Sequence, residues 1–203
     1  MYDLKSGEVR IGDYFYANKL FSHERIEDGN VECLGQVFAI DQINKCVWAV
    51  SLIDQSFAWK DNGEDKLAGN LNLDIIVGQD LASLFEDLSY EFYAQGVRDK
   101  QEYEALYCAS HVDLLPQGCS SYLPTGGQWK LILENLCGLN THDNTPWSCT
   151  QQNEIGLTGR YWVSTVFDNK KVYTVDVSDI AVFLCEDEVG QTYKMRYVIK
   201  IDE

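Results

Sequence analysis

Four short runs of β-branched and aromatic residues close the chain and limit what it can fold into. They are Arg160 to Phe167 (RYWVSTVF), Lys171 to Ser178 (KVYTVDVS), Ile180 to Glu186 (IAVFLCE) and Thr192 to Ile201 (TYKMRYVIKI). Side chains of this kind fit a pleated, half-buried surface. The separators DNKK and DEVGQ are rich in turn residues, so the runs predict an antiparallel sheet joined by short connections.

The beginning of the chain has the same character. Val9 to Ser22 alternates around aromatic positions, and Val31 to Ile40 and Lys45 to Ile53 are β-branched and aromatic runs on either side of the turn Asp41-Gln42-Ile43-Asn44. Phe57 to Gln79 is Gly- and Asp-rich and predicts a long surface loop with at most one short strand. The middle changes period. Leu81, Leu84, Phe85, Leu88 and Phe92 line one face of a predicted helix from Asp80 to Ala94, and Tyr103, Leu106 and Tyr107 line a second over Asp99 to Ser110. A third helix begins at Thr125, with Gln128 three residues on completing a capping box before Trp129, Leu131, Ile132, Leu133 and Leu136, and Gly138 supplies a left-handed stop. Leu139 to Gly159 predicts a second long loop, rich in Asn, Thr and Gln. The order β, α, β predicts an α+β fold in which the first and last strands share a sheet.

Charge narrows the partners. With 16 Lys+Arg against 32 Asp+Glu the formal net charge is −16, and no basic stripe interrupts it. Such a field repels phosphate backbones and anionic headgroups, so no nucleic acid is expected as partner. No apolar run is long enough for membrane insertion. A chain of 203 residues buries about 70% of its unfolded surface and needs no disulfide scaffold. Its seven cysteines, Cys33, Cys46, Cys108, Cys119, Cys137, Cys149 and Cys185, are widely spaced with no C-x-x-C pair and read as small buried hydrophobes. The opening MYDLKSGEVR lacks the apolar stretch of a secretion signal. The expected location is therefore cytoplasmic, or cell surface or secreted if an upstream leader has been removed.

Several motifs in sequence order resemble those of one family. Leu123-Pro124-Thr125 with Gln128-Trp129-Lys130-Leu131-Ile132, then Tyr161-Trp162-Val163-Ser164-Thr165, then Met195-Arg196-Tyr197-Val198-Ile199, resemble the landmarks of bacterial C-type-lectin-like domains of the Lcl adhesin C-terminal type. Upstream, Gly12 to Ser22, Cys33 to Phe38, and Ala49 to Leu52 through Ala58-Trp59 resemble the N-terminal hairpin of longer bacterial versions. The chain departs from the pattern at Gln128, where Glu is usual, at Val163, and at Tyr197, where Pro is usual. The resemblance implies a C-type-lectin-like fold of two or three helices, twisted antiparallel sheets and long loops. Residues 61–203 would form that domain and residues 1–60 a β-hairpin extension packed on it, one compact unit overall.

Candidate chemistry is sparse. Asp61, Asn62, Glu64 and Asp65 lack the ladder of a calcium loop and read as a solvated segment. Cys108 with His111, and Cys137 with His142 and Cys149, match no zinc spacing, so no metal or cofactor is expected. Gly118-Cys119-Ser120 with His111 or His142 could form a nucleophile and base, but no G-x-S-x-G elbow occurs. Asp41, Asp54, Asp176 and Asp179 are spaced like turn and strand-end residues facing solvent.

The Leu139–Gly159 loop stands apart. Trp147 lies among Asn144, Gln151, Gln152 and Asn153, a composition that stacks on sugars or anchors an interface, or that simply pins a long loop to the body. The leading expectation is a non-enzymatic ligand-binding or adhesin-type module presenting this loop to a glycan or protein surface. Its alternative is a structural or assembly subunit of a surface or tip complex. A second alternative is an enzyme related to the formylglycine-generating type, which requires a low-pKa thiol among Cys119, Cys137 and Cys149.

Overall fold

The computed structural model describes residues 1–27, 29–41, 45–59, 103–140, 147–149, 155–166, 171–178 and 181–202. A 3-10 turn (Leu4–Ser6) precedes β1 (Tyr14–Tyr16), β2 (Phe21–Ser22), β3 (Cys33–Asp41), β4 (Cys46–Ser51) and β5 (Gln55–Ala58). Helix α1 (Glu104–Ser110), β6 (Cys119–Tyr122), helix α2 (Gly126–Cys137), β7 (Leu139–Asn140) and β8 (Trp147–Cys149) follow. The four late runs supply β9 (Gly159–Val166), β10 (Lys171–Val177), β11 (Ala181–Glu188), β12 (Thr192–Met195) and β13 (Val198–Asp202).

The strands form two sheets. One has six strands in the order β2-β1-β3-β4-β13-β6, and the other seven in the order β5-β12-β9-β10-β11-β8-β7. The last strand does share a sheet with the first ones: β13 pairs antiparallel with β4, Val198 opposite Val50, and with β6, Val198 opposite Tyr122.

This mostly β architecture corrects the α+β, C-type-lectin-like fold expected from the sequence. Among the described residues there are two α-helices, of 7 and 12 residues, against thirteen strands. The predicted helix over Asp80 to Ala94 lies outside the described residues, and the one over Asp99 to Ser110 is described only from Tyr103, with Glu104–Ser110 helical. The sequence understates strand because β6 (CSSY), β7 (LN) and β8 (WSC) are short and carry no alternating pattern. Such segments take extended geometry from the strand they pair with. The Leu139–Gly159 stretch is therefore not simply a loop, since β7 and β8 pair with each other at one edge of the second sheet.

Period-2 alternation divides the apolar side chains between two cores. Val47 and Ala49 on β4, Ile199 and Ile201 on β13, and Trp162 on β9 enter one core, which α1 joins through Ala105, Leu106 and Ala109. Val50, Val198, Tyr161 and Val163 point the other way and meet Trp129, Ile132 and Leu133 of α2. Gly35 allows β3 and β4 to approach, because a Cβ there would stand 2.7 Å from the Val50 carbonyl oxygen.

Tryptophan indoles lock the layers. Trp129 Nε1 on α2 donates to the Trp162 carbonyl at 3.1 Å, Trp162 Nε1 donates to Phe57 O at 2.7 Å, and Trp59 Nε1 donates to Val163 O at 3.0 Å. The last two run in opposite directions between β9 and the β5 region, so buried donors are satisfied while two non-adjacent strands are tied. Helix α2 begins as the sequence predicts: Gln128 N donates to Thr125 Oγ1, Thr125 N donates to Gln128 Oε1, and Gly138 closes the helix at φ 60°. Asn135 Nδ2 then donates to Phe38 O at 2.9 Å, where a bulge shifts the β3–β4 register.

Candidate functional site

Of the five residues expected to meet a ligand, Asn144, Gln151, Gln152 and Asn153 lie outside the described residues. Trp147 opens β8, and its backbone pairs with Val182 of β11. Of this set, the described residues place only the Trp147 backbone.

The described residues bring together a polar cluster where the chain passes between the two sheets. The chain crosses from the first sheet to the second between β4 and β5, where Asp54 sits, and crosses back between β12 and β13, where Arg196 sits. The two crossings are pinned together. Arg196 Nε donates to Asp54 Oδ1 at 2.6 Å, Lys194 Nζ lies 3.0 Å from Asp54 Oδ2, and the Tyr161 hydroxyl donates to both carboxylate oxygens at 3.2 and 3.1 Å. The same hydroxyl accepts from Thr158 N, and Lys194 Nζ donates to Thr158 O at 2.7 Å. Backbone bonds complete the pin: Ser51 N donates to Tyr197 O and Tyr197 N donates to Ser51 Oγ.

Electrostatics follow from this geometry. Burial works to raise the Asp54 pKa, but the hydrogen bonds and charges of Arg196 and Lys194 outweigh it and hold the carboxyl below its usual range. Burial pushes the Tyr161 phenol up. Arg196 is only 2% exposed, and its charge is tolerated because Asp54 neutralises it. The sequence does hold a signal for this pair: an arginine inside the apolar run Met195-Arg196-Tyr197-Val198 must find a partner if the run is buried. Asp54, expected to face solvent, is that partner.

A second cluster lies on the other face of β9. Arg160 Nη1 donates to both oxygens of Asp187 at 3.0 and 3.1 Å, and its Nη2 donates to Asp176 Oδ2 at 2.9 Å. Thr174 Oγ1 and the Tyr193 hydroxyl also donate to Asp187. Asp176, like Asp54, is thus ion-paired rather than simply solvated. The third cluster fastens the N-terminal segment. Tyr2 makes a two-bond bridge with Phe21, its hydroxyl donates to Asp13, and His23 Nδ1 lies 2.7 Å from Asp13 Oδ1. Burial, then the neighbouring Asp13 carboxylate, raise the Tyr2 phenol.

The reactive-residue candidates are placed structurally. His111 stacks on Tyr107 at 3.9 Å, with its Nδ1 2.9 Å from Tyr107 O. Cys46 and Cys137 are buried as expected, whereas Cys33, Cys108, Cys119 and Cys185 are half-buried. At Cys119 burial raises the thiol pKa, against the opposing charge of Lys19. That is the reverse of what a thiolate nucleophile requires. His142 lies outside the described residues, and Cys149 lies on β8. Among the described residues no group of three or more His, Cys, Asp or Glu could hold a metal ion, and no helix is long and apolar enough to cross a membrane.

The described residues thus define a two-sheet, mostly β scaffold whose three polar clusters hold a pair of chain crossings, a strand face and the N-terminal segment. No protein-family model matches the chain, and no curated protein matches it. Among solved structures, the chain is similar to a fimbrial protein from Bacteroides ovatus, with 17% identity, a TM-score of 0.53, and coverage of 94% of this chain and 48% of that one. The chain spans about half the length of that protein, and at this identity the likeness is one of fold.

Proposed function

We propose that this chain is a structural subunit of a bacterial surface assembly of fimbrial type, displayed outside the cell and partnered by other protein chains. The observation that carries the proposal is the fold likeness to the Bacteroides ovatus fimbrial protein over 94% of the chain. The way charge is used supports it. Asp54, Arg196, Arg160, Asp176 and Asp187 stiffen the scaffold at its crossings and strand faces, as suits a part that transmits load between neighbours.

The test is to label intact producing cells with an antibody to the chain and to identify the proteins in mechanically sheared surface filaments by mass spectrometry. The proposal expects labelling at the surface and recovery of the chain with filament partners. Recovery only as a monomer in the cytosolic fraction would overturn it.

A further inference from the structure

At one end of the first sheet, the N-terminal 3-10 turn and the residues after it line, together with the end of β3 and the start of β4, a cleft of about 310 Å³. This lies at the small end of the roughly 300–1,000 Å³ that small-molecule sites occupy. Val47, buried in β4, and Leu4, Val9 and Ile40, packed against the same core, give it apolar walls. Lys5, Lys45 and Asp41 supply its charged lining, a net single positive charge in a chain of net charge −16.

The wall that carries Lys5 is fixed before any ligand arrives. Asp3 caps the turn by accepting from Ser6 N at 3.0 Å, Gly7 closes it at φ 71°, and Tyr2 is bridged to Phe21 just upstream. On the opposite side Lys45 sits at φ 53°, a left-handed conformation that turns the chain directly into β4. Apolar walls with a local excess of positive charge, presented on a preorganised frame, select a compact apolar body bearing one anionic group.

We propose that this cleft is a binding site for a small organic carboxylate, with the apolar body against Val47 and Ile40 and the carboxylate held by Lys5 and Lys45. The proposal is independent of the assembly role.

The experiment is a two-dimensional amide NMR titration of the whole chain with hexanoate, hexanol and hexylammonium, chain-length-matched probes that differ in charge. Hexanoate is expected to shift the amides of Gly7, Val9, Cys46 and Val47 in a saturable way, with hexanol weaker and hexylammonium inert. Lys5→Gln with Lys45→Asn removes both charges, and Asn accepts the left-handed backbone. This double variant is expected to weaken hexanoate about tenfold while leaving hexanol unchanged. Lys171→Gln, on β10, is expected to leave hexanoate binding as it was. The proposal is overturned by shifts scattered away from the cleft, by no saturable shift at millimolar hexanoate, by equal binding of hexanoate and hexanol, or by unchanged hexanoate affinity in a double variant whose spectrum shows it folded.

Discussion

Asp54 and Arg196, 142 residues apart in sequence, meet at 2.6 Å where the chain passes between the two sheets in opposite directions. The pair converts two independent crossings into one fixed joint. Arg196 is buried, so Asp54→Asn leaves an uncompensated guanidinium inside the fold and is expected to cost about 2–4 kcal/mol by urea unfolding. Combining Asp54→Leu with Arg196→Met removes both charges and should recover part of that loss, with a coupling of about 1–3 kcal/mol in a double-mutant cycle. Additive losses would mean that the two side chains do not act as a pair.

The same joint sets an acid dependence. Asp54 is depressed in the folded protein by Arg196 and Lys194, whereas in the unfolded chain it titrates near the ordinary value of about 3.9. Well above that value the carboxylate is charged in both states and its stabilisation is present in full. As pH falls through the unfolded value the unfolded chain takes up the proton first, and the stabilisation is lost progressively down to the lower folded value. Urea midpoints from about pH 5 downward should therefore fall more steeply for the native sequence than for Asp54→Asn. Parallel curves would contradict the assignment.

Thr125 offers a local test. Its hydroxyl accepts from Gln128 N at 3.2 Å, and the Gln128 amide in turn donates to the Tyr122 hydroxyl at 2.9 Å. Thr125→Ala should destabilise by about 1–2 kcal/mol, lowering Tm by roughly 2–6 °C in calorimetry, and Thr125→Ser should lose less than half as much.

Thiol chemistry distinguishes a scaffold from a cysteine-dependent enzyme. Burial raises the pKa of Cys33, Cys119 and Cys185, against the opposing charges of Arg25, Lys19 and Arg160 respectively. Iodoacetamide at near-neutral pH should modify all three at least about tenfold more slowly in the folded protein than in urea, as peptide mass spectrometry would read. Rapid selective modification of Cys119 would reinstate a nucleophilic role for it.

What could be read in the sequence was what is settled within a few residues. The Thr125–Gln128 box and the Gly138 stop need only their own helix, and the strands around Arg160 to Glu186 announce themselves by β-branched alternation. What escaped was set by distant partners. The run from Thr192 to Ile201 looks like one strand, yet it breaks at Arg196-Tyr197 to serve two sheets because Asp54 and Ser51 hold it there. Residues Cys119–Tyr122 have little intrinsic preference for extended structure and gain it from β13. The Trp147 set rests on composition, which does not say which side chains converge, and four of its five members lie outside the described residues. Among the described residues Asp54, Tyr161, Lys194 and Arg196 converge from three separate stretches of chain.

The placement of β13 in the interior of its sheet also governs the order in which the protein can be made. Its two neighbours, β4 and β6, have nothing to bridge them until Val198–Asp202 exists, although both precede it in the chain. A growing chain must therefore keep the β4 edge facing β13 unpaired until that strand is made, and the sheet closes only in a long-range step.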